Sequence, residues 1–193
     1  GASLEDALEA DDTARSVAPQ PGPAEPVTAT ATETTSPSEA PSQTASEAGL
    51  LIPVRGVEAA SLTDSFLDAR GGDGGRLHEA IDIMAPKGTD VVAAAPGTIA
   101  RLHVSAAGGN TIYLRTADKE TIYFYAHLDG YASGLREGQR VARGQKLGTV
   151  GSTGNADKAA PHLHFAILNT TADAEWWEPA NAVNPYPLLA GTQ

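Results

Sequence analysis

The 193-residue chain has five histidines, and two of them stand one residue apart in "PHLHF", Pro161 to Phe165. On a β-strand successive side chains alternate faces, so His162 and His164 would share one face while Leu163 and Phe165 point into the layer behind. A second stretch, "HEAIDIMAPKGTDVVAA", sets His78 and Asp82 four residues apart. Ile81, Ile83, Pro86 and Gly88 favour a strand there, with His78, Ala80 and Asp82 on one face and Glu79, Ile81 and Ile83 on the other. Imidazole and carboxylate are donors that zinc accepts, and with no cysteine in the chain any metal site has to use His, Asp or Glu. Taken singly, each pattern has a plainer reading: an exposed strand face for HxH, a surface ion pair for His78 and Asp82. His127 ends the apolar run "YFYAHL", where a buried histidine with a hydrogen-bond partner is the default reading.

These groups need a scaffold, and from Leu50 onward the chain supplies one. Short β-branched runs separated by Gly, Pro, Asn and Asp clusters predict strands near 79–84, 90–95, 97–104, 110–116, 121–127, 140–142, 146–150 and 162–168. "NTIYLRTADKETIYFYAHL" reads as a hairpin turning at "TADKE". "EGQRVARGQKLGTVGSTG" spaces its glycines as tight turns between very short strands require. No stretch keeps a helical period for 12 residues, so the expected class is all-β, mainly antiparallel, with long loops.

Residues 1–49 differ in kind, being rich in Pro, Thr, Ser, Ala and Glu and without an aromatic residue. Such a segment buries too little apolar surface to offset its ordering entropy, which predicts a disordered tail or tether ahead of a domain over 50–193. "SLEDALEADDTAR" within it could form a short helix capped by Ser3. The tail carries nine acidic residues against Arg15, leaving 15 acidic and 12 basic residues in the rest of a chain whose net charge is -11. The folded part therefore has no basic stripe, and nucleic-acid binding is not expected. There is no apolar run of about 18 residues and no signal-peptide pattern. The start "GAS", without Met, reads as a terminus left when an upstream export segment was removed, and a membrane tether is expected only through such a segment.

"HEAIDIMAPKGTDVVAAAPGTI", "YFYAHL", "EGQRVARGQKLGTVGSTG" and "PHLHF" together resemble the successive motifs of the M23 (lysostaphin-type, LytM-like) zinc metallopeptidases, over residues 64 to about 168, with a weaker echo in "PANAVNPYPLL". The resemblance implies an antiparallel sheet with a peptide-binding groove walled by loops. By motif position it implies His78, Asp82 and His164 as ligands of one zinc ion, and His127 and His162 as the catalytic pair. Periodicity places both histidines of HxH at the site; the family separates their roles. Three protein ligands leave a place for water, which zinc activates near neutral pH, and because the chain has no HExxH, an imidazole must serve as base, His162 before His127. The implied activity is hydrolysis of peptide cross-links or stem peptides of bacterial peptidoglycan, outside the cytoplasm, by a monomer. A non-enzymatic relative that binds and activates a cell-wall hydrolase is the alternative.

Several residues are expected to be structural. Asp64, Phe66 and Arg70 in "TDSFLDAR" would shape the groove, Asn110 would fix a turn, and His103 would be an exposed strand residue. Trp176 and Trp177 fit either a groove wall or a core plug. Ala80 stands where many relatives carry glycine, and Ala166 where an acidic residue is common. No tyrosine lies between Arg70 and His78, which disfavours a glycyl-glycine specificity. "ADKAAP" also resembles, more weakly, the lysine turn of lipoyl or biotinyl carriers, with Lys158 as the modified residue.

Overall fold

The computed structural model describes residues 49–70 and 76–191; the short helix expected near the start of the chain lies outside them. The described residues form strands β1 (Ala69–Arg70), β2 (Arg76–Leu77), β3 (Ile81–Met84), β4 (Asp90–Val92), β5 (Gly97–Ser105), β6 (Gly109–Arg115), β7 (Thr121–Tyr131), β8 (Arg140–Val141), β9 (Lys146–Val150), β10 (His162–Asn169) and β11 (Asn181–Val183), then a helix α1 (Pro185–Ala190). All eight expected strands are present within a few residues. The β1–β2 pair, β11 and α1 are additions that are too short to leave a period in sequence. Asn184 caps α1 through its side chain, Pro185 starts it and Gly191 ends it in the left-handed region, so a one-and-a-half-turn helix is held by its ends.

Every pairing is antiparallel. The main sheet runs β11-β10-β7-β6-β5-β8, with β4 joined through β9 to β7. One edge of β10 is shared: β3 pairs its first half, Leu163 opposite Ile83 and His164 opposite Asp82, and β11 pairs its second half. The other edge of β10 pairs β7, with His164 opposite Ala126. This register gives the sheet two apolar faces. Ile81, Ile83, Ile99, Ile112, Leu114, Tyr125, Leu128, Leu147, Leu163 and Phe165 form the main core on one side. Ala80, Tyr113, Ile122, Phe124, Ala126, Ala166 and Leu168 form a thinner layer on the other, against which Trp176 packs.

The segment from Leu50 lies along the sheet before the first strand. Leu51 N–H donates to Ala94 O, Arg55 N–H to Asp90 O, and Pro53 O accepts from Val92 N–H. Val54, 1% exposed, belongs to the main core. The hairpin at "TADKE" joins β6 to β7 as expected, with Lys119 in the left-handed region and Thr116 closing the turn.

Candidate metal centre and catalytic groove

The thinner face carries the chemistry. Asp82 and His164 are direct cross-strand partners on β3 and β10, and His162 lies two residues before His164 on the same face. Leu163 and Phe165, on the opposite face, are fully buried, which fixes the direction in which both histidines point. His78 precedes β3 instead of lying on it. It still reaches the site, because Leu67 N–H donates to its carbonyl and its own N–H donates to Asp68 O.

His127 arrives by a different route. Strict alternation along β7 would send it to the main core, since Phe124 and Ala126 face the groove layer and Tyr125 faces the core. The register between β6 and β7 shifts between Asn110 and Ile112: Asn110 is opposite Leu128 and Ile112 opposite Tyr125, leaving Ala126 and His127 across from Thr111 alone. This is a β-bulge with His127 at φ 61, and it turns the imidazole toward the histidines of β10. Asn110 Nδ2 donates to the carbonyls of Leu128 and Asp129 and holds the bulge open, the structural role expected of it. Thr153 completes the clamp: its hydroxyl donates to Leu128 O and its carbonyl accepts from His127 Nδ1 at 2.9 Å.

Three donor atoms form a triangle. His78 Nε2 to Asp82 Oδ1, His164 Nδ1 to Asp82 Oδ1, and His78 Nε2 to His164 Nδ1 are each 3.1 Å. Ligand atoms about 2.0–2.1 Å from a tetrahedral zinc stand roughly 3.3–3.4 Å apart, so the donor set and its spacing fit that ion. His78 Nδ1 lies 2.8 Å from Ser65 O, an acceptor, and 3.0 Å from Arg70 Nη2, a donor, while Nε2 faces Asp82 and His164. His162 and His127 stand beside the triangle, ring centroids 5.1 Å apart, with His162 Nε2 3.8 Å from Asp82 Oδ1. His162 Nδ1 donates to Ala160 O at 2.8 Å, as His127 Nδ1 does to Thr153 O, so both rings offer an unprotonated Nε2 to the groove.

Burial disfavours the charged form of two of these rings. The His127 pKa is lowered to about 4, first by burial and then by repulsion from His164 and His162. Burial also lowers that of His164. Burial alone would raise Asp82, but hydrogen bonds from His164 and His78 outweigh it and hold the carboxyl well below the usual carboxylate range.

The surrounding residues sort themselves by contact. Phe124 meets His164 edge-on at 6.1 Å, and Tyr113 continues the aromatic row to Trp176. Trp176 caps the thinner layer under the Arg101 guanidinium, and Trp177 is 45% exposed, so one plugs and the other faces outward. Arg115 fastens their loop by donating to Ala174 O and Thr171 O. His103 is half-buried against Trp176, not exposed as expected, because the loop folds back over β5. Asp64 receives Asn184 Nδ2 and Phe66 packs on the main core, both structural as expected. Arg70 departs from that expectation: its guanidinium reaches Asp82. Ser65, between two residues the sequence singled out, touches both His78 and Asp82; a short polar side chain in a loop gives no pattern that would have revealed this. Lys158 is turned onto the carbonyl of Ser152, part of the loop beside the site and not a presented hairpin tip.

Comparison with known proteins gives the same picture. A 134-residue stretch is 37% identical to the L-Ala--D-Glu endopeptidase of Bacillus subtilis, covering 67% of this chain and 39% of that protein. A 143-residue stretch is 33% identical to the murein hydrolase activator NlpD of Salmonella dublin, covering 74% of this chain and 34% of that protein. The chain thus spans less than half the length of these curated relatives. Among solved structures, a zinc-containing peptidase from Vibrio cholerae superposes with a TM-score of 0.53 at 28% identity, over 64% of this chain and 37% of that one. The model of peptidase family M23 matches residues 76–179, more than half of the sequence and all five site residues, and the chain belongs to that family.

Proposed function

We propose that this chain is a zinc-dependent endopeptidase that hydrolyses peptide cross-links or stem peptides of bacterial peptidoglycan outside the cytoplasm. The observation that carries the reading is the intact set: three donor atoms at 3.1 Å spacing, with two further imidazoles offering bare Nε2 atoms beside them. Zinc held by His78 Nε2, Asp82 Oδ1 and His164 Nδ1 would supply Lewis acidity and lower the pKa of a water toward 7. The protein's own part is proton handling. His162 and His127 each hold Nδ1–H on a backbone carbonyl, so each can only accept at Nε2 until it is charged. His162, nearer the carboxylate, takes the proton of the attacking water; the resulting imidazolium then donates to the leaving amine. His127 shares this work: where its Nε2, in place of that of His162, takes the water's proton, the imidazolium so formed steadies the negative charge developing on the scissile carbonyl oxygen. Residues 1–49 would serve as an acidic tether for a monomeric domain.

Purified sacculi incubated with wild type, His164→Ala and His162→Ala, followed by mass spectrometry of the muropeptides, test the activity. Wild type should release fragments and reveal the bond cut. His164→Ala should release none, and His162→Ala should be slower by about 10²–10⁴ with zinc still bound. Unchanged muropeptides from zinc-loaded wild type would sink the activity, and near-normal turnover by His162→Ala would sink its role as base.

The likeness to a murein hydrolase activator favours a second reading, in which the same groove binds and stimulates a wall hydrolase. Zinc content separates the two: protein that is metal-free after gentle purification and shows no affinity on titration would turn the argument to the activator.

A further inference from the structure

The ligand carboxylate has two oxygens, and the structure gives them different tasks. Oδ1 faces His78 Nε2 and His164 Nδ1. Oδ2 is turned to Arg70 Nη2 at 2.5 Å, and that nitrogen also lies 3.0 Å from His78 Nδ1. Asp82 is 16% exposed while Arg70, at the end of β1, is 46% exposed, so the guanidinium reaches in from the groove rim to an almost buried partner. The same segment grips the ligand pair elsewhere: Ser65 O lies 2.8 Å from His78 Nδ1, Ser65 Oγ accepts from Asp82 N–H, and backbone bonds tie Leu67 and Asp68 to His78. Arg70 is thus the outermost member of a belt, residues 65–70, laid around both β3-side ligands.

We propose that Arg70 is a positioning residue that occupies Asp82 Oδ2 and restricts the carboxylate to one-oxygen coordination through Oδ1. A carboxylate free to rotate can present both oxygens to a metal, raising the coordination number and using the place a water or substrate oxygen needs. A guanidinium on Oδ2 removes that option through one charge-assisted hydrogen bond, and the second contact of the same nitrogen, with His78 Nδ1, fixes where the guanidinium sits. This inference rests on the metal reading above.

The test uses the full chain, stripped of metal and reloaded with zinc or cobalt(II), as wild type, Arg70→Ala and Arg70→Lys. Chelator competition should show zinc binding weakened about 10–100-fold in Arg70→Ala, with part of the loss recovered in Arg70→Lys. The visible absorption of the cobalt protein should fall in intensity in Arg70→Ala, as four-coordinate cobalt gives way to a higher coordination number. The unfolding midpoint of each apoprotein shows whether the fold survives; should Arg70→Ala fail that check, the lysine variant decides on the same two readouts. Wild-type affinity and an unchanged cobalt spectrum overturn the role of Arg70, including where KM alone rises, since that outcome moves Arg70 from metal to substrate. A wild type that takes up neither ion removes the metal reading itself, and this role with it.

Discussion

At the scale of single residues, the site is governed by which ring atom carries a proton. Backbone carbonyls accept from Nδ1 of His127 and His162, so two imidazoles are set in one tautomer by main-chain atoms that no side-chain substitution removes. The neutrality of His127 has a thermodynamic signature. An unfolded chain protonates His127 near its ordinary value of 6.5 and the folded protein only near 4, so between these values acid favours the unfolded state. The contribution is complete above about pH 6.5 and is lost as pH falls toward 4. For the metal-stripped protein, wild type should lose about 2–3 kcal/mol more than His127→Gln between pH 7 and 4.5 in denaturant titrations. Parallel losses would show that this ring is not held neutral by the fold. Sequence singled out His78, Asp82, His162 and His164 because HxH and HxxxD each place two side chains on one face, whereas His127 read only as a buried histidine until the family resemblance was added. It could not show Ser65 or Arg70 at the ligands, since those contacts join a loop and a two-residue strand across a fold with no periodicity to announce them.

At the scale of elements, alternation predicted β10 and β3 well because each has one wholly apolar face that fixes its register. It failed at His127, where counting residues along β7 gives the wrong face and only the extra residue opposite Thr111 corrects it. The glycines around that bulge are packed for it. Gly109 has φ 64, and a Cβ there would fall 2.5 Å from the carbonyl carbon of Thr153 and 2.6 Å from Gly154 N. Gly109→Ala should therefore push Thr153 off His127 Nδ1 and destabilise the protein by about 2 kcal/mol or more. Hydrolysis should fall while zinc affinity stays close to wild type, because the ligand triangle lies on other elements. A variant that loses metal and activity together would place the clamp's influence at the ligands instead.

At the scale of the molecule, one sheet serves two purposes: its thick apolar face holds the fold, and its thin face holds the His–Asp cluster. The thick face depends on the segment that runs ahead of the first strand. Beginning the chain at residue 58 and not at residue 49 removes the backbone bonds of Leu51, Pro53 and Arg55, the buried Val54, and Leu50, Ile52 and Val57, which pack on the same core. The shorter chain should be less stable by on the order of 4 kcal/mol, measured by thermal and denaturant unfolding. Equal stabilities would mean that the sheet is complete without this strap.

The bulge in β7 also bears on how this sequence can change. A deletion of one residue between Tyr125 and Leu128 would let β6 and β7 pair without interruption, and by local criteria it would remove a conflict between the chain and its ladder. Deleting His127 would remove the imidazole, and deleting Ala126 would leave it on the thin face in Ala126's place but without the left-handed backbone and the Thr153 carbonyl that aim it. Regular strand pairing and the placement of His127 therefore pull in opposite directions at this one loop of backbone, and drift toward a more regular sheet leads away from the five-residue cluster by a path on which the protein need not become less stable.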